Sequence, residues 1–487
     1  MYVLNSFQTK EIDKKTILKG IKEEVLIEQA AFALSDVIES TIPKKILFLA
    51  GNGNNGADSI ASARILKNRG YNTTISIVGN NKNFSEGFIL QKQIAENFNV
   101  QFENINDIKF SNYDTVVDGI IGIGLKGSLN DELKEIINKV NFSDANIISI
   151  DIPTGVNSDT GEIAETSIHA DITVTFGYLK IGHVLEPSKN YCGAIKIATL
   201  SFDRSYEKNI TRRVITSDFV KRILIDYKYI KHKYDRGFVL VFAGEKAYPG
   251  AAVLTATAAQ KSGAGIVKLI TCVDTSNIIS YEPSVICEKT NSDFFDVNLI
   301  ETYEKDFEKA DVIVIGSGCS FNSHDFFVEV IKKYGKSKKI IVDAAAIKCI
   351  KNFKLENTLI TPHSGEMEKS FENTENNLEK LEQIALEHNI TIMYKSTTTI
   401  ITDGKNTFFN VEGGKELSKG GSGDVLTGVA AAFVAQGKSI TDAAIAASYI
   451  MYKTASDLKE EFTDYFVTPK LIIDNFYKTF LNLQNEK

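Results

Sequence analysis

Short apolar runs and amphipathic stretches take turns along this chain. Residues 45–50 (Lys-Ile-Leu-Phe-Leu-Ala) predict a buried strand, and residues 57–68 predict a helix. Residues 73–78, 115–117, 147–150, 171–175 and 194–198 predict further strands, with a second helix at 85–97. The pattern turns charged and irregular from Arg204 to Arg213, which places a domain boundary near residue 215. Alternation then resumes. Strands are predicted at 237–243, 267–271, 312–315, 340–342, 359–360 and 390–394. Ala-rich helices are predicted at 251–262, 426–435 and 442–455. Strand–helix alternation of this kind predicts α/β domains, each with a parallel sheet covered on both faces. The domains expected are 1–215 and 216–487.

Composition narrows the function classes. At 487 residues the chain is too long for one ordinary core. The net charge of -7 is shared by both parts, so neither is basic, which argues against nucleic acid as the main partner. Five scattered cysteines without a C-x-x-C pair read as thiols of a reducing compartment, and the six histidines form no zinc motif. No apolar run reaches the length of a membrane span, and the first residues lack the apolar core of a secretion signal. Cytoplasmic residence is expected.

Three predicted strand ends in the first part carry polar chemistry. Gly51-Asn52-Gly53-Asn54-Asn55-Gly56 lies between a strand and a helix and matches G-x-G-x-x-G. No carboxylate stands at the end of the second strand, which weakens an ordinary dinucleotide site. Val117-Asp118-Gly119 leads into Gly122-Ile123-Gly124-Leu125-Lys126-Gly127-Ser128, and Asp151-Ile152-Pro153-Thr154-Gly155 follows another strand. Loops beyond the carboxyl ends of parallel strands converge, so Asn54, Asn55, Asp58, Asp118, Asp151 and Thr154 are expected in one crevice. Amide, carboxylate and hydroxyl oxygens suit an alkali or alkaline-earth cation better than zinc. A lone Asp at a strand end is more often a cap, and the weight lies in three such loops together.

Jointly these segments resemble the NAD(P)H-hydrate epimerase family over about residues 1–210. The resemblance implies a three-layer αβα Rossmann-like domain that interconverts the R and S forms of hydrated NAD(P)H (NADHX and NADPHX). It implies substrate contacts at Asn54, Asn55, Asp58, Gly122, Gly124, Lys126, Ser128 and Asp151, with Asp151 as the proton-transfer group. It also implies a potassium ion at Asn55, Asp118 and Thr154. Ala57 and Ser59 stand where that family usually has glycine, adding a methyl and a hydroxyl at a close-approach loop.

The second part contains Gly420-Gly421-Ser422-Gly423-Asp424-Val425-Leu426-Thr427-Gly428. Glycines let several N–H groups face one anion at a helix start, and Asp424 stands where a phosphoryl group would rest. That predicts phosphoryl chemistry at a hydroxyl; the competing reading is a glycine turn whose Asp caps the helix. With Ala243–Ala252, Gly316-Ser317-Gly318 and Thr361-Pro362-His363-Ser364-Gly365-Glu366, the stretch resembles the ADP/ATP-dependent NAD(P)H-hydrate dehydratase family over about residues 225–480. The resemblance implies a ribokinase-like αβα fold and ADP-driven loss of water from the S hydrate, giving NAD(P)H, AMP and phosphate. Asp424 would be the catalytic base. Ala252, Gly318, His363 and Asp424 would contact substrate, and Lys395, Ser396, Thr399, Gly421 and Gly423 the nucleotide, ADP or ATP with magnesium. A homo-oligomer with small-molecule substrates is expected. The rival readings are a vitamin or sugar kinase with an accessory nucleotide-binding domain, and a regulatory protein that binds nucleotide without turnover.

Overall fold

The computed structural model describes residues 1–79, 83–125, 127–224, 232–375 and 377–485. The chain divides into two compact units, Met1–Ile210 and Thr211–Lys487. The division falls before the expected residue 215 because the strand Arg212–Val214 pairs with Thr407–Asn410 of the second unit. Among the described residues, no helix is long and apolar enough to cross a membrane.

The first unit is built on a parallel seven-stranded sheet. Its spatial order is Gln101–Phe102, Asn72–Ile77, Lys45–Ala50, Thr115–Gly119, Asn146–Ile150, Ile172–Phe176 and Ala194–Ala198. Alternate residues of Lys45–Ala50 feed two cores: Ile46, Phe48 and Ala50 on one face, Leu47 and Leu49 on the other. Both faces are therefore covered, as the continuous apolar run requires. Strand order reverses between Lys45–Ala50 and Thr115–Gly119, so the loops after these two strands diverge and open a crevice. Two helices that the alternation did not reveal, Ser6–Leu18 and Glu23–Ser40, precede the first strand of this sheet.

The second unit carries a ten-stranded sheet running from Arg212–Val214 at one edge to Ile286–Lys289 at the other. It is parallel except at Thr399–Thr402, which runs antiparallel to Thr391–Tyr394 and Thr407–Asn410. The hairpin strands Thr399–Thr402 and Thr407–Asn410 escaped the sequence reading. The helices Pro249–Lys261 and Ser422–Ala435 pack with little between them: a Cβ on Gly428 would stand 2.2 Å from the Thr255 carbonyl oxygen. The Ala-rich sequences of both helices make that approach possible, and they fill the main core of the unit.

Candidate active sites

The helix after the Gly51–Gly53 loop begins at Asn54, three residues earlier than expected, so Asn54 and Asn55 lie in its first turn. The glycines are required by packing. A Cβ on Gly51 would stand 1.9 Å from the Ile120 carbonyl oxygen, and one on Gly56 1.9 Å from that of Gly51. Beyond the strand ends lies a cavity of about 650 Å³ lined by Asn54, Asn55, Asp58, Gly122, Gly124 and Asp151, within the ordinary range for small-molecule sites. Leu26, Ile27, Phe176 and Phe202 give it an apolar wall. Ala57 and Ser59 point away from it, contrary to expectation. Ala57 packs in the core, and the Ser59 hydroxyl is buried within 3.4 Å of the Leu49 carbonyl. Ser128 is exposed and does not line the cavity, and Lys126 lies outside the described residues.

Asp151 has a left-handed backbone, φ 65°, a conformation that non-glycine residues hold only when their surroundings fix it. Its N–H donates to the Val174 carbonyl at 2.7 Å. Its own carbonyl accepts from His183 Nε2 at 2.8 Å, while His183 Nδ1 accepts the Lys180 N–H at 3.0 Å. Burial of the imidazole, helped by the Lys180 charge, pushes His183 down to about 4, so it is neutral near pH 7. The Asp151 carboxylate pairs with the buried Lys180 ammonium and accepts from Thr175 Oγ1 at 3.1 Å. Burial alone would raise the Asp151 pKa, but the Lys180 charge and hydrogen bond outweigh it and hold the group below its ordinary value. Asp58 shows the opposite behaviour. Burial first, then the charges of Asp151, Asp13 and Glu23, push it well above the usual carboxylate range. Asp13, on the helix Ser6–Leu18, is raised to about 6, mainly by burial. Among the carboxyl groups that line the cavity, Asp151 is held ionised while Asp58 and Asp13 are disposed to carry protons.

Asp118 is fully buried, and its hydrogen-bond donors are neutral: the Thr154 N–H at 2.9 Å, Thr154 Oγ1 at 2.6 Å, Ser149 Oγ at 2.9 Å and the Ile120 N–H at 3.3 Å. Burial raises its pKa and the Thr154 bonds work against that. The Asn55 side-chain nitrogen is buried without a hydrogen-bond partner, and a Cβ on Gly122 would stand 3.1 Å from Asn55 Oδ1.

In the second unit Asp424 lies inside the first turn of the helix Ser422–Ala435, which starts earlier than the apolar run implied. Gly421 makes this possible: it caps the helix with φ 95°, open to glycine at little strain. The Ser422 hydroxyl is buried there without a partner. A Cβ on Gly423 would lie 2.9 Å from Lys395 Nζ, so the ammonium sits against the helix start. Burial, then the Asp343 charge, raise Asp424 to about 7, with Lys395 opposing. The Lys395 N–H donates to the Pro362 carbonyl at 2.8 Å, which ties this lysine to the 361–366 segment. There His363 caps the helix Ser364–Phe371, its Nδ1 accepting from the N–H groups of Gly365 and Glu366 at 3.0 and 3.3 Å.

Other expected contacts are placed differently. The loops at Gly244–Glu245 and Ser317–Gly318 are zipped by Gly244 N–H to Ser317 O and Glu245 N–H to Gly318 O, at 3.0 and 2.9 Å. Ala252 is fully buried beside Gly244, and a Cβ on Gly318 would meet that of Ala251 at 2.4 Å. Their part is to let these loops close up. Ser396 is exposed, with its hydroxyl bonded to the Thr398 carbonyl at 2.6 Å. Thr399 is buried and bonded to the Tyr452 hydroxyl at 2.6 Å, so its side chain serves the core. The sequence reading missed Asp343, Asp13, Glu23 and Lys180. Asp343 occupies the same strand-end position as Asp118 and Asp151, and Lys180 is a lone cation in an apolar stretch; those signals were present.

Residues 23–182 match a family model described as the N-terminus of YjeF-related proteins, and residues 239–478 match one described as NAD(P)H-hydrate dehydratase. The bifunctional NAD(P)H-hydrate repair enzyme of Dictyoglomus turgidum is 30% identical, with 92% of each chain covered. The chain belongs to the bifunctional NAD(P)H-hydrate repair enzyme family. The Archaeoglobus fulgidus member of this repair family is 29% identical, again with 92% of each chain covered. A ribokinase-like superfamily protein from Enterococcus faecalis, 25% identical, matches 56% of this chain and 96% of its own with a TM-score of 0.51. The repair-enzyme chain is therefore an α/β enzyme with an epimerase-type domain followed by a ribokinase-like dehydratase domain.

Proposed function

We propose that the first unit interconverts R- and S-NAD(P)HX and that the second uses ADP to return the S form to NAD(P)H. The observation that carries this reading is Asp424, a half-buried carboxyl with a pKa raised to about 7, in the first turn of a helix whose start is touched by the Lys395 ammonium. The hydrate's hydroxyl attacks the terminal phosphoryl group of ADP as Asp424 takes its proton, and AMP leaves. The N–H groups at Gly421–Gly423 and the ammonium stabilise charge on the moving phosphoryl. The ring nitrogen then expels phosphate as the C–O bond breaks, and loss of a neighbouring C–H proton restores the double bond. Lys395, Gly421 and Gly423 serve the nucleotide, through main chain and ammonium, and His363 serves the substrate; a magnesium ion bound to the nucleotide's phosphates would offset part of their charge. ATP would enter the same site.

In the first unit Asp151 is the proton-transfer group at the carbinolamine carbon, facing a substrate held by Asn54, Asn55, Asp58 and the Gly122–Gly124 loop. A potassium ion fits Asn55, Asp118 and Thr154. The buried Asp118 carboxylate, whose hydrogen-bond donors are all neutral, describes a place where one positive charge is wanted, and Asn55 would offer its side-chain oxygen to the ion. Bound there, the ion would offset the Asp118 charge and fix the loops that frame the cavity. The enzyme is proposed to work in the cytoplasm as a homo-oligomer on small molecules. The test is incubation with mixed NADHX epimers and ADP, following the reduced nicotinamide absorbance. Complete conversion is expected. Conversion that stops at the S fraction, once spontaneous epimerisation is subtracted, would remove the first activity. No conversion with ADP or ATP would remove the second, and a stable phosphorylated product would indicate a kinase.

A further inference from the structure

The transfer chemistry above gives no role to the buried carboxylate of Asp343. Asp343 ends the strand Lys339–Val342 and is 2% exposed. Thr361 Oγ1 donates to its Oδ1 at 2.7 Å and Ser317 Oγ to its Oδ2 at 2.9 Å. Lys395 Nζ completes the set at 3.3 Å from Oδ1. Three different strand ends therefore converge on this group. The same ammonium touches Gly423, yet among the described residues no ion pair within 4.0 Å joins it to Asp424.

We propose that Asp343 is a positioning residue of the dehydratase site. It anchors the Lys395 ammonium against the helix start, so that the charge faces the transferring phosphoryl group and Asp424 is left unpaired to take the hydroxyl proton. This rests on the dehydratase reading of the second unit. The charged groups that face Asp424 are Asp343, Lys395 and Glu366, with the His363 ring beside Glu366. Without the Asp343 charge, Lys395 has only Asp424 and Glu366 as carboxylate neighbours in this set. An ammonium paired to Asp424 favours its ionised form and weakens it as a base. Loss of the negative neighbour acts in the same direction, because Asp343 is among the groups that raise Asp424. The two effects add.

The test is the pH dependence of kcat for ADP-driven dehydration of S-NADHX by the full chain, wild type against Asp343→Asn. The acid limb is expected to move down by about one to three pH units. The plateau is expected to fall at least ~tenfold as the base weakens and is paired. A merely structural role would lower the rate at every pH and leave the limb in place; that result would overturn the proposal. Should Asp343→Asn fail to fold, Asp343→Ser is measured instead, with the same expectation. Failure of both variants to fold would show a structural residue and also overturn it. A wild-type chain with no ADP-dependent dehydration would instead fail the reading on which the proposal rests, and the two failures are thereby told apart.

Discussion

Replacing Lys180 by methionine isolates the electrostatic logic of the first cavity. The lysine is 1% exposed and its ammonium pairs with Asp151, so Lys180→Met strands a carboxylate that keeps the Thr175 hydroxyl as a side-chain donor. Removing one partner of a buried pair costs about 3–5 kcal/mol. The pH dependence must also reverse. In the wild type the folded-state pKa of Asp151 lies below the unfolded value, so the pair contributes stability that is present above the unfolded pKa and lost as pH falls through the folded one. In the variant, burial and the neighbouring Asp58 and Asp13 dominate, and the folded-state value rises above the unfolded one. The folded chain then binds more protons than the unfolded chain between those two values, so stability falls as pH rises through that window. The deficit is therefore greatest near pH ~8 and shrinks toward pH ~5. Urea unfolding read by hydrogen exchange on peptides from residues 1–210 measures this unit separately from the second. Adding Asp151→Asn to Lys180→Met should recover most of the loss, because a buried pair replaced whole is nearly neutral. A deficit under about 1 kcal/mol at pH ~8, or one that does not shrink in acid, would refute the account.

Asp424→Asn should lower ADP-dependent dehydration at least ~hundredfold while epimerisation, read as R/S exchange by chromatography, continues unchanged. Wild-type dehydration should rise with pH through about 7, following ionisation of Asp424. Asp118→Asn should abolish any potassium stimulation of epimerisation, measured as the rate in potassium against a tetraalkylammonium salt; retained stimulation would place the ion elsewhere. Gly423→Ala should leave stability within about 1 kcal/mol, since the new methyl meets only the far end of the Lys395 side chain, at 2.9 Å. The displaced ammonium should nonetheless raise the KM for ADP.

The sheets were legible because their strands are continuous apolar runs such as Ile46–Ala50 and Val312–Ile315, buried on both faces. The hairpin strands Thr399–Thr402 and Thr407–Asn410 were not, because each has an apolar run of only two residues, Ile400-Ile401 and Phe408-Phe409, between polar ones. The loops that carry Asn54, Asp118, Asp151 and Asp424 were readable as strand ends followed by glycine. The contributions of Asp13 and Glu23 were hidden, because they come from helices far from those motifs in sequence and meet the cavity only through the fold. Conversely, Ser128, Ser396 and Thr399 carry suitable groups at suitable spacing, yet Ser128 is exposed outside the cavity, the Ser396 hydroxyl bonds the Thr398 carbonyl, and Thr399 bonds Tyr452 in the core. Spacing alone does not report side-chain direction.

The cap made by His363 fixes the tautomer of that ring. Two main-chain N–H groups occupy Nδ1, so the ring proton resides on Nε2, 3.5 Å from Glu366 Oε1, in a side chain that is 57% exposed. Toward anything that arrives from solvent the imidazole can only give a hydrogen bond. A neutral carboxamide oxygen is welcome there, a phosphate would also meet the Glu366 carboxylate, and an N–H is turned away unless the first turn of Ser364–Phe371 unwinds. A residue that looks like a versatile acid–base group is, by its place at a helix start, a polarity filter for what docks beside it.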